Sequence, residues 1–169
     1  MKKTDYSNKN VFADAVTEMR DSLFHVSYAI LCNKADCEDA VQETILKAYE
    51  KIFQLKKPEM FRAWIVRILK NECFMIIRKN KRLITVGTVQ NNTEEQEIPD
   101  IDLNRALRSL KPELRLTLTL FYVDGYKIHE IGYIMQVPDG TVKSRLSRAR
   151  QMLKEHLEIM EEVNGKLLC

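Results

Sequence analysis

Apolar side chains recur along this chain every three to four residues, the spacing of one helix face rather than the alternation of a strand. In residues 11–31 they fall at Val11, Phe12, Ala15, Met19, Leu23, Val26 and Ile30, which predicts a helix. A second stripe of Val41, Ile45, Ala48 or Tyr49, and Ile52 predicts another, with Asp36 as its N-cap and Asp39 in its first turn. Leu55-Lys56-Lys57-Pro58-Glu59 breaks the pattern, and a long helix follows from about Met60 to Arg82. Periodicity then lapses over 83–100, LITVGTVQNNTEEQEIPD, which reads as a flexible linker; its start, Leu83–Val89, is also β-prone enough for a short strand. A second helical unit begins with Leu103, Ala106, Leu107 and Leu110. Pro112 suits the first turn of the next helix, which runs to about Tyr122, and Asp124-Gly125 forms a turn. A short helix over Tyr126–Met135, a turn at Gln136-Val137-Pro138 and a final helix over about 139–161 complete the chain, leaving LEIMEEVNGKLLC as a tail. The expected fold is all-α: two small helical domains, 1–82 and 101–169, joined by an acidic linker over 83–100.

Composition supports that reading. The 169 residues include only five Gly and four Pro, and 45% are hydrophobic. The net charge of +3 is less informative than its distribution. Residues 1–82 hold 16 Lys and Arg against 11 acids, residues 83–100 no base and four acids, and residues 101–169 hold 11 bases against nine acids. Two basic bodies flanking an acidic strip suggest polyanion contacts in two places. Cys32, Cys37, Cys73 and Cys169 match no zinc or redox spacing and read as thiols of a reducing compartment. The N-terminus lacks the apolar stretch of a signal peptide and no 18-residue apolar run occurs, so a cytoplasmic location is expected.

The sharpest motif lies at 126–157. A short apolar helix, a tight turn and a basic helix make a helix-turn-helix. On a helical wheel Val142, Leu146, Ala149 and Leu153 fall within about 60° and face the core. Lys143, Ser147, Arg150, Gln151 and Lys154 lie opposite, flanked by Ser144 and Arg148, and no acid occurs from 140 to 154. Such a face meets phosphates and base edges, while Gly140, Thr141 and the serines keep bulk low. In the helix FRAWIVRILKNECFMIIRKNKR, Arg67, Lys70, Asn71, Arg78, Lys81 and Arg82 fall within about 120°. Phe61, Trp64, Ile65, Ile68, Leu69 and Ile76 fill the apolar side. Phe74 borders the basic strip, where an aromatic ring stacks on an unpaired base or simply packs.

These residues together resemble the extracytoplasmic-function (ECF) sigma factors of the sigma-70 family. DCEDAVQET at 36–44 is similar to the polymerase-binding helix of that family. The pattern Phe61, Trp64, Arg67, Ile68, Asn71 and Arg78 resembles its −10-reading helix, and PDGTVKSRLSRAR at 138–150 its −35-reading helix. The resemblance spans roughly residues 10–160. It implies an alternative sigma factor of two domains, region 2 and region 4. Asp39, Gln42 and Glu43 would dock on core RNA polymerase. The 55–60 loop with Arg67, Asn71, Arg78, Lys79, Lys81 and Arg82 would hold the −10 promoter strand. Thr141, Lys143, Ser144, Arg145, Ser147, Arg148 and Arg150 would meet the −35 duplex. The acidic linker would follow the RNA exit path, and an anti-sigma factor would sequester the protein. The chain departs from the family at Met75, often Asp; Lys127, often Ser, which removes a helix cap; Gly132, often Ala; and Gln136, often a turn Gly.

The main alternative is an ordinary helix-turn-helix regulator, which pairs the motif with dimerisation or ligand sensing and binds palindromes. An enzyme is disfavoured because His25, His129 and His156 are scattered and no phosphate cradle or HExxH motif occurs. Glu38, Asp39 and Glu43 lack the histidine or second acidic helix that would make them a metal site. A helical adaptor would not need two basic faces. No cofactor is expected.

Overall fold

A computed structural model describes residues 5–85 and 101–167 of the chain. The described residues are helical almost throughout. In order they form α1 (Lys9–Glu18), α2 (Arg20–Leu31), α3 (Lys34–Glu50), 3₁₀ turns at Ile52–Gln54 and Pro58–Met60, and α4 (Phe61–Thr85). Then follow α5 (Ile101–Ser109), α6 (Pro112–Leu118), a π turn at Thr119–Val123, α7 (Ile128–Met135) and α8 (Asp139–Leu167).

Several expectations change in detail. The helix expected over 11–31 is two, because Met19 leaves helical geometry (φ −91°, ψ 0°) between α1 and α2. Asn33, not Asp36, caps α3: its side chain accepts the Asp36 N–H at 2.9 Å. Asp36 instead sits in the first turn, where a carboxylate meets the positive end of the helix dipole. Helix α4 runs through Thr85, so Leu83–Thr85 are helical and not part of a linker or strand. The rest of that segment, 86–100, lies outside the described residues, as does Cys169. The sequence's supposed tail continues α8 to Leu167. Tyr126 precedes α7 instead of opening it. Lys127 occupies the cap position, where an ammonium group has no lone pair to offer. Only the other half of the capping box forms, with Glu130 accepting the Lys127 N–H at 2.8 Å.

In the first body α4 packs against α2 and α3. Leu23, Val26 and Ile30 of α2 meet Phe61, Ile65, Val66, Leu69 and Cys73 of α4, all buried. Ala40, Thr44 and Ala48 on α3 are small enough to let that helix lie close to α4. Trp64 is buried as expected. Each fully buried Leu or Ile contributes about 1.5–3 kcal/mol. Across the same contact Lys47 of α3 binds Glu72 of α4 at 2.7 Å, and this partner raises the Lys47 pKa. In the second body Leu114, Leu116, Leu118 and Leu120 pack with Ile131 and Ile134 of α7 and Val142, Leu146 and Ala149 of α8. The wheel reading of the inner face of α8 holds for Val142, Leu146 and Ala149, whereas Leu153 is only half-buried and Met152 packs against the core beside them.

The two bodies also touch. Helix α7 lies along α4, and α6 along α2. Arg115 of α6 is buried and donates to the carbonyls of Ala29 and Ile30 at the end of α2, and to those of Leu107, Arg108 and Leu110 at the end of α5. Each helix end leaves carbonyls without intrahelical partners, and one planar guanidinium satisfies two such ends.

Candidate nucleic-acid and polymerase interfaces

Asp39, Gln42 and Glu43 are exposed on α3 and face away from α4. Glu43 is partly neutralised, because Lys47 lies 3.2 Å from it as well as holding Glu72. The same face carries apolar groups that the sequence reading did not single out: Leu46 is 62% exposed and, just beyond the helix, Phe53 is 79% exposed. Isolated exposed apolar residues are ordinary, but an acidic edge beside a large bare aromatic suits a partner with basic and apolar groups. Tyr49, on the apolar stripe of α3 by spacing, lies at the rim, 43% exposed and edge-on to Phe12.

On α4 the basic strip divides. Asn71, Arg78, Lys79, Lys81 and Arg82 are exposed, with Met75 exposed among them. Met75, Arg78, Lys79 and Arg82 line a shallow groove. Phe74 is half-buried and packs against the core instead of standing free. The N-terminal half differs from expectation. Lys70 is only 8% exposed, its Nζ donating at 3.0 Å to Gln136 Oε1 beyond α7. Burial, with Arg67 nearby, pushes its pKa down to about 8. The Arg67 guanidinium lies over the Tyr133 ring of α7, 4.9 Å from its centroid, and Arg62 lies over Tyr126 at 5.4 Å. A wheel assigns a face within one helix. It cannot tell that a second helix covers part of that face.

The helix-turn-helix forms as read, α7 and α8 meeting at Gln136-Val137-Pro138. Lys143, Ser144, Ser147, Arg148 and Arg150 are exposed on α8, and Thr141 and Arg145 half-buried. Ser144 donates to the Thr141 carbonyl at 2.9 Å. Arg150 reaches the Tyr122 hydroxyl at 3.4 Å, a long bond at the edge of the surface. Gly132 has a packing reason: a Cβ there would lie 3.0 Å from the Val137 carbonyl and 2.9 Å from Asp139 Oδ1. Its absence brings α7 close to the turn that launches α8.

Cys37 and Cys73 are free and buried, and burial raises both thiol pKa values, so they pack as small apolar groups. Among the described residues no cluster of three or more His, Cys, Asp or Glu is arranged to hold a metal ion, and no helix is long and apolar enough to cross a membrane.

Two basic helical bodies, the second ending in an exposed recognition helix, define a two-part DNA-binding protein. Residues 15–83 match Sigma-70 region 2 and residues 101–153 match Sigma-70 region 4. The chain is 27% identical over 176 residues to the ECF RNA polymerase sigma factor SigW of Bacillus subtilis, covering 93% of this chain and 94% of that protein. It is 30% identical over 156 residues to the ECF RNA polymerase sigma factor SigE of Mycolicibacterium smegmatis, covering 85% of this chain and 60% of that one. The fold also superposes on a chain of the co-crystal structure of the sigma factor RpoE with the anti-sigma factor NepR from Bartonella quintana. The TM-score is 0.76 at 25% identity, covering 88% of this chain and 97% of that chain. A second likeness is to the structure of CnrH with the cytosolic domain of CnrY, with a TM-score of 0.68 at 22% identity, covering 90% of each chain. This chain belongs to the ECF group of the sigma-70 family, and is an alternative sigma factor rather than an enzyme.

Proposed function

We propose that this sigma factor works through three surfaces on its two helical bodies, 5–85 and 101–167. The α3 face of Asp39, Gln42 and Glu43 docks on core RNA polymerase, joined by Leu46 and Phe53. On α4, Arg67, Asn71, Arg78, Lys79, Lys81 and Arg82 hold the −10 strand, the cations meeting phosphates and Asn71 a base edge. On α8, Thr141, Lys143, Ser144, Arg145, Ser147, Arg148 and Arg150 enter the −35 major groove. The observation that carries this reading is α8 itself. Its inner face is fixed by Val142, Leu146 and Ala149, which turns an acid-free row of Lys, Ser and Arg outward on the second helix of the motif.

The protein acts in the cytoplasm with the polymerase. The RpoE structure is a complex with the anti-sigma factor NepR, which supports an anti-sigma partner here too. Run-off transcription with purified core polymerase on fragmented genomic DNA of the source organism tests the reading. Discrete transcripts that require the protein are expected. No such transcripts, with salt-sensitive binding of the protein alone to a palindromic duplex, would instead make it an ordinary regulator.

A further inference from the structure

Helix α6 is buried on nearly every side: Leu114, Arg115, Leu116, Thr117 and Leu118 are all buried, and so is Leu120 in the π turn that follows. In a continuous α-helix Tyr122 would follow Leu118 by four residues and Arg115 by seven. Val123 would follow Leu116 by seven. Both would therefore point inward. Instead Tyr122 is 56% exposed and Val123 61%. The register changes in the π turn at Thr119–Val123, which the Asp124 N–H closes by donating to the Thr119 carbonyl at 3.0 Å. That turn holds one residue more than an α turn and brings both side chains round to water. Single π turns recur at functional sites.

Tyr122 emerges beside the recognition helix. Arg150 of α8 donates to its hydroxyl at 3.4 Å, and half-buried Phe121 braces its ring edge-on at 4.9 Å. Arg150 stands in the outward row of α8, seven residues beyond Lys143 and three beyond Ser147. No acid occurs from 140 to 154, and the next two are engaged, Glu155 by Gln151 at 2.9 Å and Glu158 by Lys154 at 3.6 Å. An arginine whose neighbour is a neutral hydroxyl keeps its charge available to an anion.

A phenol accepts and donates at once. With Arg150 donating to the Tyr122 oxygen, the phenolic proton and the other guanidinium N–H groups are left for an acceptor. A phosphate oxygen is the acceptor that an acid-free cationic row draws in. We propose that Tyr122 and Arg150 form a phosphate clamp: together they take one backbone phosphate of the duplex beside the −35 element, with Tyr122 as a positioning residue. This rests on the reading of α8 as the −35 surface. A single helix in a major groove can roll about its own axis. A contact from a second element removes that freedom and fixes the angle at which Lys143, Ser144 and Arg148 meet the bases. The π turn supplies that second element.

The test uses the full chain and a fluorescein-labelled mixed-sequence duplex of about 20 base pairs, with affinity read by anisotropy from about 50 to 200 mM salt. Tyr122→Phe deletes only the hydroxyl at an exposed position, so the melting temperature should stay at the wild-type value. It should weaken duplex binding about tenfold, the worth of one hydrogen bond to a charged group. The salt slope should not change, since a neutral side chain releases no counterion. Arg150→Ala should weaken binding and reduce the slope of log K against log salt by about 0.9. Because the two side chains share one phosphate, the double variant should bind little worse than Arg150→Ala alone.

Wild-type affinity in Tyr122→Phe overturns the clamp. So does a loss in the double variant equal to the product of the single losses, which would place the two side chains on separate phosphates. A loss that comes with a lower melting temperature also overturns it, as the effect of a structural hydroxyl. Lys143→Ala and Arg148→Ala in the same assay separate the two readings. If they weaken binding while Tyr122→Phe does not, the clamp alone falls; if none of these changes matters, α8 is not the −35 surface.

Discussion

Arg115→Met should be the most damaging single change to the polar framework. The guanidinium is only 8% exposed and donates to five carbonyls: Ala29 and Ile30 at the C-terminal end of α2, and Leu107, Arg108 and Leu110 around the end of α5. None of these acceptors is a carboxylate, so the charge is held by helix-end dipoles alone, and burial lowers the arginine's pKa. Methionine matches the aliphatic stem but has no donor. The carbonyls lose bonds worth about 1.5 kcal/mol or more each, while the charge no longer pays its desolvation. The two effects oppose, and a net loss of about 3–5 kcal/mol remains, comparable to a broken buried ion pair. That is a large share of a typical domain's 5–15 kcal/mol, roughly. Urea unfolding followed by helical circular dichroism measures it. Arg115→Lys should recover only part, since an ammonium's three donors cannot span two helix ends. A methionine variant with the wild-type urea midpoint would refute the reasoning, and would mean that water already serves those carbonyls.

Asn33→Ala removes the side-chain cap of α3 and should cost about 1 kcal/mol, seen as a lower melting temperature; an unchanged melting temperature would mean Asp36 compensates at the helix start. Lys143→Ala and Arg148→Ala should each weaken −35 duplex binding by about 1–3 kcal/mol where they touch bases, and equal affinity of the double variant and wild type would remove α8 from promoter recognition. Asn71→Ala should slow promoter opening by polymerase while leaving docking intact, as read by permanganate footprinting against co-elution. For Lys70, the folded pKa of about 8 lies below the ordinary 10.5, so the unfolded chain binds more protons between those values. Stability should rise with pH from about 8 towards 10.5, and lie level at its lower value below about 8. Urea midpoints at pH 7.5, 9 and 10 should show that rise, and Lys70→Met should flatten it.

Much of this protein was legible before any tertiary structure. The inner face of α8 follows from Val142, Leu146 and Ala149, because a helical period fixes which side chains share a side whatever lies beyond it. The same holds for the core of α4, for Pro112 at the start of α6, and for the turn at Gly125, whose φ of 69° suits glycine. The basic row of α8 and the acidic face of α3 are equally local, since an exposed charged face needs no partner to be recognised. The boundaries were less secure. Asn33 and Asp36 are both good caps by residue type, and only the fold of the connection from α2 chose between them.

What the tertiary structure alone decided is where the faces of different helices meet. Lys70 belongs to the basic strip by spacing, yet it is buried against Gln136, 66 positions along the chain. Arg115 carries no mark in the sequence pattern, yet it binds carbonyls 85 and 86 positions away. Periodicity reports the environment around one helix axis. Partners that distant are selected by how two bodies pack, and no local pattern encodes that choice.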